Sequence, residues 1–152
     1  MYTREQIQAA VESKGYRWFE KGDYNVNIVG VRNSDTNGKV TNKFDDKITI
    51  TYKIAGEWKF HIYVKVYRDA NKDGVYDYDE STVDEGLFGI NIHRATALSG
   101  KTSTYIDKWS AGCQVIANND DWHEFLDICE KARDTWNNNF TYTLIESNDI
   151  GA

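Results

Sequence analysis

The fold is decided by residues 47–67, which read KITITYKIAGEWKFHIYVKVY. Large apolar side chains alternate with polar ones on both sides of Ala55-Gly56. A period of two is typical of strands with one buried face, and a two-residue glycine turn joins antiparallel neighbours. We therefore predict a hairpin of two strands, Lys47–Ile54 and Glu57–Tyr67. In the second strand, His61 falls on the polar face.

Working outward from this hairpin, the sequence predicts two helices and four more strands. Thr3 and Gln6 form the capping-box pattern that begins the first helix, which ends near Gly15. The second helix is expected over about Asp121–Trp136, with an apolar stripe at helical spacing. That stripe comprises Trp122, Phe125, Leu126, Cys129, Ala132 and Trp136. The further strands are expected at Tyr24–Val31, Leu87–His93, Cys113–Ile116 and Phe140–Ile145.

The predicted strands follow one another in hairpins more often than they alternate with helices. The chain has 152 residues, and it contains no internal repeat, linker or low-complexity tract. We therefore expect one domain over residues 1–152, of the mostly β (α+β) class.

Composition and charge exclude several classes of protein. Hydrophobic residues make up 40% of the chain, which is enough for a packed core. The net charge of −6 argues against nucleic acid as a partner. No apolar run reaches the ~18 residues of a transmembrane helix. The 2 cysteines do not amount to a disulfide scaffold, and we interpret Cys129 as a core thiol on its helix.

The N-terminus reads MYTREQIQAAVESKGY and lacks the basic start and apolar centre of a signal peptide. We expect the protein to be cytoplasmic as synthesised. If it acts on the cell wall, it reaches that site by lysis, by virion delivery or by another route. The sequence does not determine the oligomeric state.

Chemistry is concentrated in residues 89–115, which read GINIHRATALSGKTSTYIDKWSAGCQV. His93 and Cys113 lie 20 positions apart, each in a short apolar run. Ser110-Ala111-Gly112 precedes Cys113 as a small-residue turn that would expose the thiol beside backbone N–H groups. A thiolate nucleophile needs that exposure, a base and donors for the developing oxyanion. The alternative is that both residues belong to the core.

This stretch resembles the catalytic motif of the L,D-transpeptidases (YkuD-like domains). That motif has a histidine, 16 to 19 residues, Ser or Thr, His, Gly, Cys, any residue and Asn. His93, Ser110, Gly112 and Cys113 match it in identity and spacing. Ala111 stands in place of the second histidine, and Val115 in place of the asparagine. The segments GINIHR and WSAGCQV of this stretch also show a weaker similarity to phage-encoded members of the group.

The resemblance implies a β-sandwich or barrel with two peripheral helices, in which Cys113 is the nucleophile and His93 the base. The substrate would be a peptidoglycan stem peptide, and the acyl group would pass to an amine or to water. Backbone N–H groups around Ala111, Gly112 and Cys113 would form the oxyanion hole, with Ser110 and Ala111 beside the substrate. We expect no organic cofactor. The departure at Ala111 bears on rate and on the choice of acceptor.

Two further residues of this stretch are candidates for substrate contact. Trp109 could line the substrate groove, and packing is an equal alternative. Arg94 could meet a carboxylate of the stem peptide, and the alternative is a solvated arginine.

An acidic loop follows the predicted hairpin and fits the template of a calcium loop. Its oxygen ligands, at template positions 1, 3, 5, 7, 9 and 12, would be Asp69, Asn71, Asp73, the Val75 carbonyl, Asp77 and Glu80. Gly74 occupies the position of the sharp turn. We predict that Ca²⁺ binds here in a structural role and braces the approach to His93. The alternative is a solvated, Asp-rich turn.

A second function competes with acyl transfer. The chain could be a catalytically inactive, calcium-stabilised binding or virion module that retains the fold. The departures at Ala111 and Val115 favour that alternative.

Overall fold

The computed structural model describes residues 2–34, 46–66, 92–94, 100–101 and 114–151. For residues 65, 66, 93 and 114 the description covers the backbone alone. The helices are α1 (Arg4–Ser13) and α2 (Asn119–Thr135), and a 3₁₀ turn covers Ser147–Asp149. The strands are β1 (Asn27–Arg32), β2 (Asp46–Ile54), β3 (Glu57–Val66), β4 (Ile92–Arg94), β5 (Gln114–Ile116) and β6 (Tyr142–Glu146).

The described strands form one mixed sheet of six strands in the order β4-β5-β3-β2-β1-β6. The central β1, β2 and β3 and the β3–β5 pair are antiparallel. The two outer pairs, β1–β6 and β4–β5, are parallel. Parallel neighbours need long crossovers, so each edge of the sheet joins segments that are distant in sequence.

The hairpin predicted from residues 47–67 is confirmed. The register pairs Ile54 with Glu57 at one end and Asp46 with Lys65 at the other. Ala55 has a φ of 50° and Gly56 a φ of 81°, so both turn residues are left-handed. Such turns match the right-handed twist of the strands that they join.

Each face of the sheet carries one helix. α2 packs on the face that holds Ile28, Ile48 and Ile50, through Phe125 and Ile128. α1 packs on the opposite face; its Ile7, Ala10 and Val11 meet Val29, Val31 and Ile145. Ile28 and Val29 are consecutive residues of β1, so their side chains point to opposite faces of the sheet. The strand therefore contributes to the core on each side.

The prediction that β3 has a polar face, on the side of His61, was wrong. Tyr63 is only 3% exposed, because α2 covers the face that it shares with His61. The stripe predicted for α2 also needs correction. Ile128 is buried and was missed, whereas Trp136 lies at the C-cap, after the helix ends, and is 52% exposed.

Both helix starts follow from local chemistry. Thr3 Oγ1 accepts from the Gln6 N–H, and the Gln6 side chain accepts from the Thr3 N–H, so the predicted capping box is confirmed. Asn118 caps α2, since its Oδ1 accepts from the N–H groups of Asp120 and Asp121 at 2.8 and 3.0 Å. These contacts satisfy donors that have no partner within the helix.

The predicted α+β class is confirmed. The described ranges hold similar amounts of helix and strand, so the expectation of a mostly β domain is not confirmed. The described residues form one sheet flanked by two helices, and they do not extend to a second sheet. Of the helices described, none is long and apolar enough to cross a membrane.

Candidate functional site

The predicted histidine lies at one edge of the sheet, in β4. β4 runs parallel to β5, and the register places His93 beside Val115 and Ile92 beside Gln114. Cys113 directly precedes β5 in the sequence. The strand of the predicted base is therefore the hydrogen-bonded neighbour of the strand that follows the predicted nucleophile.

β5 is firmly anchored in the core. Val115, Ile116 and Ala117 are fully buried, and the Ala117 N–H donates to the Val64 carbonyl at 3.0 Å. Ile116 belongs to the α2 side of the core, and Ile92 of β4 packs against the same cluster. The edge that carries His93 is thus held by apolar contacts rather than by the hydrogen bonds of short strands alone.

Arg94 lies at the surface, at the point where β4 ends. Its guanidinium donates a hydrogen bond of 3.4 Å to Asn119 Oδ1, at the beginning of α2. The side chain is exposed, so a carboxylate could approach it from solvent. The role of Arg94 in substrate contact stays a prediction, as does the alternative of a solvated arginine.

Several predicted site residues lie outside the described residues. They are Trp109, Ser110, Ala111, Gly112 and Cys113, together with the proposed calcium ligands Asp69, Asn71, Asp73, Val75, Asp77 and Glu80. Of His93, the backbone is described and the side chain is not. In the ranges that are described, no three His, Cys, Asp or Glu side chains are grouped to hold a metal ion.

The second cysteine lies where the helical pattern predicted it. Cys129 packs against the core on the α2 side. Burial, followed by the charge of Glu130, raises the pKa of its thiol to about 12. Since the thiolate is the reactive form of cysteine, Cys129 is poorly suited to nucleophilic chemistry.

A polar cluster between β3 and α2 was missed in the sequence. Glu124 Oε1 accepts from the Tyr63 hydroxyl at 2.7 Å and lies 3.0 Å from His61 Nδ1. His61 Nε2 lies 3.2 Å from the Tyr52 hydroxyl. Tyr24, Tyr52, His61 and Tyr63 stack in succession, with ring centroids 5.2 to 6.3 Å apart. Carboxylate, imidazole and hydroxyl are thus connected in the order of a catalytic triad.

This cluster lacks a reactive atom that a substrate could reach. The Tyr52 hydroxyl would be the nucleophile, but Tyr52 is 5% exposed and its ring is stacked on Tyr24. Burial is the main cause that raises the pKa of Tyr52, with the charge of Tyr24 as a smaller cause. An activated nucleophile needs the opposite shift. The cluster therefore fixes α2 on the sheet.

A partial signal for this cluster was present in the sequence. His61 and Tyr63 are two positions apart on one strand, so they share a face, and Glu124 precedes the buried Ile128 by one helical turn. The pairing of β3 with α2 was not encoded in any local pattern.

Comparisons with known proteins add no relative. No protein-family model, no curated protein and no solved structure matches the chain.

Proposed function

We propose that this protein is a cysteine-dependent acyl transferase or peptidase that acts on peptidoglycan stem peptides, with Cys113 as nucleophile and His93 as general base. One observation carries the proposal: the strand of His93 is paired, in parallel, with the strand that begins one residue after Cys113. We further propose that the sheet belongs to an L,D-transpeptidase-like β-rich fold.

Chain connectivity limits the separation of the two residues. His93 and Val115 are paired, so their Cα atoms are about 4.8 Å apart. Two further steps of 3.8 Å connect Val115 to Cys113, so the Cα atoms of His93 and Cys113 are at most roughly 12 Å apart. At separations somewhat shorter than this limit, a histidine and a cysteine side chain that point towards each other come within hydrogen-bond reach. Chain connectivity therefore permits the dyad, independently of the family motif.

The proposed reaction has two steps. The Cys113 sulfur attacks a stem-peptide carbonyl, and its proton passes to His93. The tetrahedral intermediate collapses to a thioester, the C–N bond breaks, and the departing amine takes the proton from His93. Water or an acceptor amine then attacks the thioester carbonyl, gives its proton to His93 and releases the thiolate. Backbone N–H groups near Gly112 would stabilise the oxyanion in both steps.

In this proposal, calcium has a structural role. The loop of Asp69–Glu80 lies between β3 and β4 in the sequence. In the described part of the chain, β4 spans three residues and stands at the edge of the sheet, so few backbone hydrogen bonds hold it. A bound ion would order the connection that leads into it. It would supply no chemistry to the reacting atoms.

Labelling of the cysteines tests the nucleophile directly. Cys129 has a pKa of about 12, so at pH 6 it holds almost no thiolate. We expect one equivalent of iodoacetamide to enter the wild-type chain at pH 6, on Cys113, as located by peptide mass spectrometry. Cys129→Ala should label at the same rate, and Cys113→Ala should not label.

Turnover on muropeptides completes the test. Cys113→Ala should abolish the release of the terminal amino acid, whereas Cys129→Ala should retain it. Turnover that survives in Cys113→Ala would refute the mechanism. The product also identifies the acceptor: water leaves a free carboxylate on the shortened stem peptide, whereas an amine leaves an amide cross-link.

A second candidate, an inactive module that binds the same peptides, is favoured by Val115. This residue is fully buried beside His93 in the register, at the position where the family motif has a polar asparagine. Binding of a stem peptide without labelling of Cys113 at pH 6 would support this alternative over the enzyme.

A further inference from the structure

An open groove lies at the opposite edge of the sheet from β4. It has a volume of about 240 Å³ and is formed by the end of α2, the segment before β1 and the segment before β6. Its walls include Tyr24, Asn25, Trp136, Asn137, Asn139 and Phe140. The volume is far above the ~30 Å³ that one water occupies in the liquid. It is below the ~300 Å³ of the smaller drug-sized pockets. A ligand of about one sugar ring fits this range.

Exposed aromatic surface is concentrated at this groove. In the described part of the chain, three large hydrophobic residues are exposed: Tyr16, Trp136 and Phe140. Two of them, Trp136 and Phe140, line the groove. Large apolar side chains that remain in water beside a cavity indicate a binding surface.

Trp136 is held in place although half of it is exposed. Its indole N–H donates a hydrogen bond of 2.8 Å to the Asp23 carbonyl. The ring also lies directly against Gly22, where a Cβ would come within 2.7 Å of a ring carbon. The segment of Gly22 and Asp23 is itself tied to the hairpin turn, because Asp23 Oδ1 accepts from the Ala55 N–H at 2.9 Å. The indole is therefore a fixed platform, and a ligand would lose little entropy in ordering it.

The groove combines aromatic rings with neutral amides. A neutral asparagine amide has two donor hydrogens and one acceptor oxygen, and Asn25, Asn137 and Asn139 line the groove. One donor of Asn25 is already used, since its Nδ2 donates to the Lys21 carbonyl at 3.0 Å. Of the described residues that line the groove, none carries a charge, although charged residues make up 28% of the chain. A nearby cation is Lys131, whose ammonium lies 5.9 Å from the centroid of the Tyr24 ring and is not part of the walls. The wall residues themselves would give an ionic ligand no counter-charge. A purely apolar ligand would displace water from the asparagine amides without replacing its hydrogen bonds.

We propose that this groove binds one ring of a neutral saccharide. A pyranose presents C–H groups on its flat face and hydroxyl or acetamido groups around its rim. The C–H groups suit the electron-rich face of the Trp136 indole, and the rim groups suit the asparagine amides. This site does not depend on the chemistry of Cys113.

The location agrees with a substrate that has both a glycan and a peptide part. β1, beside the groove, is four strands away from β4, which corresponds to about 19 Å across the sheet. A chain that occupies the groove with its sugar could present an attached peptide at the other edge. That the sugar belongs to the peptidoglycan glycan strand rests on the proposed function; the binding of a sugar does not.

Titration of the full chain with the tetrasaccharide of N-acetylglucosamine tests the proposal. Isothermal calorimetry should show saturable binding. NMR should show shifts of the Trp136 indole N–H and of the asparagine side-chain amides. We expect Trp136→Ala to weaken binding at least tenfold, because the platform is lost. Trp136→Phe should weaken it less, since a ring remains.

The matched control is Tyr16→Ala, which removes an exposed aromatic residue outside the groove. It should leave the affinity unchanged within a factor of two. Circular dichroism checks the folding of each variant. If Trp136→Ala does not fold, Asn139→Ala changes the groove at an exposed position and should weaken binding at least threefold.

Several outcomes would overturn the saccharide site. They are no binding by the wild-type chain at millimolar sugar, an unchanged affinity in folded Trp136→Ala, and equal weakening by Tyr16→Ala. Binding of a sugar-free stem peptide, with the same NMR shifts, would assign the groove to peptide instead. Cys113→Ala should bind the sugar as the wild type does. Loss of turnover with retained sugar binding would therefore separate the failure of the enzyme from the failure of this site.

Discussion

The hydroxyl of Tyr63 donates a 2.7 Å hydrogen bond to Glu124 Oε1, across the boundary between β3 and α2. Tyr63 is buried, whereas the Glu124 side chain is 51% exposed. The hydroxyl of the buried Tyr63 therefore has a hydrogen-bond acceptor, and that acceptor is a carboxylate at the surface. The same oxygen lies 3.0 Å from His61 Nδ1, so one carboxylate connects two strand residues to the helix.

Removal of the Glu124 carboxylate should destabilise the protein more than removal of the Tyr63 hydroxyl that donates to it. Tyr63→Phe loses one hydrogen bond and should cost about 1 kcal/mol. Glu124→Ala leaves the buried Tyr63 hydroxyl without this partner and should cost about 2 kcal/mol. Urea unfolding measures both changes, and the double variant should show a coupling of at least about 0.5 kcal/mol. Glu130→Ala, at an exposed position of the same helix, is the control and should change stability little. Simple additivity of the two variants would contradict the role of this bond.

Alkaline pH should weaken the fold through groups whose pKa is raised by burial. The pKa of Cys129 rises to about 12, and the pKa values of Tyr52 and Tyr63 also rise. The folded state then holds these protons more tightly than the unfolded chain does. The free energy of unfolding is insensitive to these groups below about pH 8 and falls as pH rises above it, by at most about 1.4 kcal/mol per pH unit for each group.

Urea unfolding between pH 7 and 10 measures this slope. Cys129→Ala and Cys129→Val differ in packing but both remove the titrating thiol, so both should flatten the fall between pH 8.5 and 10. A slope that stays as steep as in the wild type in both variants would show that the Cys129 thiol does not cause it.

The hairpin turn offers a pair of substitutions with opposite signs. Ala55 holds a φ of 50°, and asparagine is the residue that tolerates this conformation best after glycine. Ala55→Asn should therefore raise stability by about 0.5 kcal/mol. Gly56→Ala should lower it by about 1 kcal/mol, because φ is 81° there while the space around the new Cβ is open. Thermal unfolding distinguishes the two, and equal effects of the same sign would contradict the turn conformation.

The hairpin and the start of α1 could be predicted because their signals are local. Alternation in residues 47–67 and the Thr3 capping box each act over a few residues. The second helix was expected from about Asp121 and begins two residues earlier, at Asn119. The burial of Tyr63 could not be predicted, because it depends on α2, which is distant in the sequence. Trp136 continues the helical spacing of the stripe, but the helix ends at Thr135. Helical spacing therefore does not predict which way the Trp136 side chain points.

The same distinction applies to the candidate site. His93 and Cys113 were proposed as a pair from their residue types and from a resemblance to a family motif. No local pattern predicted that the strand of His93 and the strand after Cys113 would be parallel neighbours. The groove at Trp136 joins three segments that no pattern connects. Parallel pairs and grooves depend on chain crossovers, and local periodicity carries no information on these.

Calcium should stabilise the chain if the loop of Asp69–Glu80 binds it. Calcium at 100 times its dissociation constant would add about 2.7 kcal/mol to the free energy of unfolding. Thermal unfolding with calcium and then with excess chelator measures the change. Asp73→Asn weakens an oxygen ligand of the loop and should reduce the response. Asp127→Asn changes only a surface pair with Lys131 and should not. An unfolding temperature that is the same with calcium and with chelator would refute the calcium site.

The dependence of Cys113 labelling on His93 tests whether the two residues act together. A cysteine paired with a protonated histidine forms its thiolate below the ordinary pKa of about 8.5. His93→Gln should therefore slow iodoacetamide labelling of Cys113 at least tenfold at pH 6, and the difference should shrink by pH 9. The Cys129→Ala background keeps the signal on one thiol. His123→Gln, at an exposed position of α2, is the matched control and should label like the wild type. Equal rates in the two histidine variants at pH 6 would show that His93 does not activate Cys113, and the chain would then be better described as a binding module.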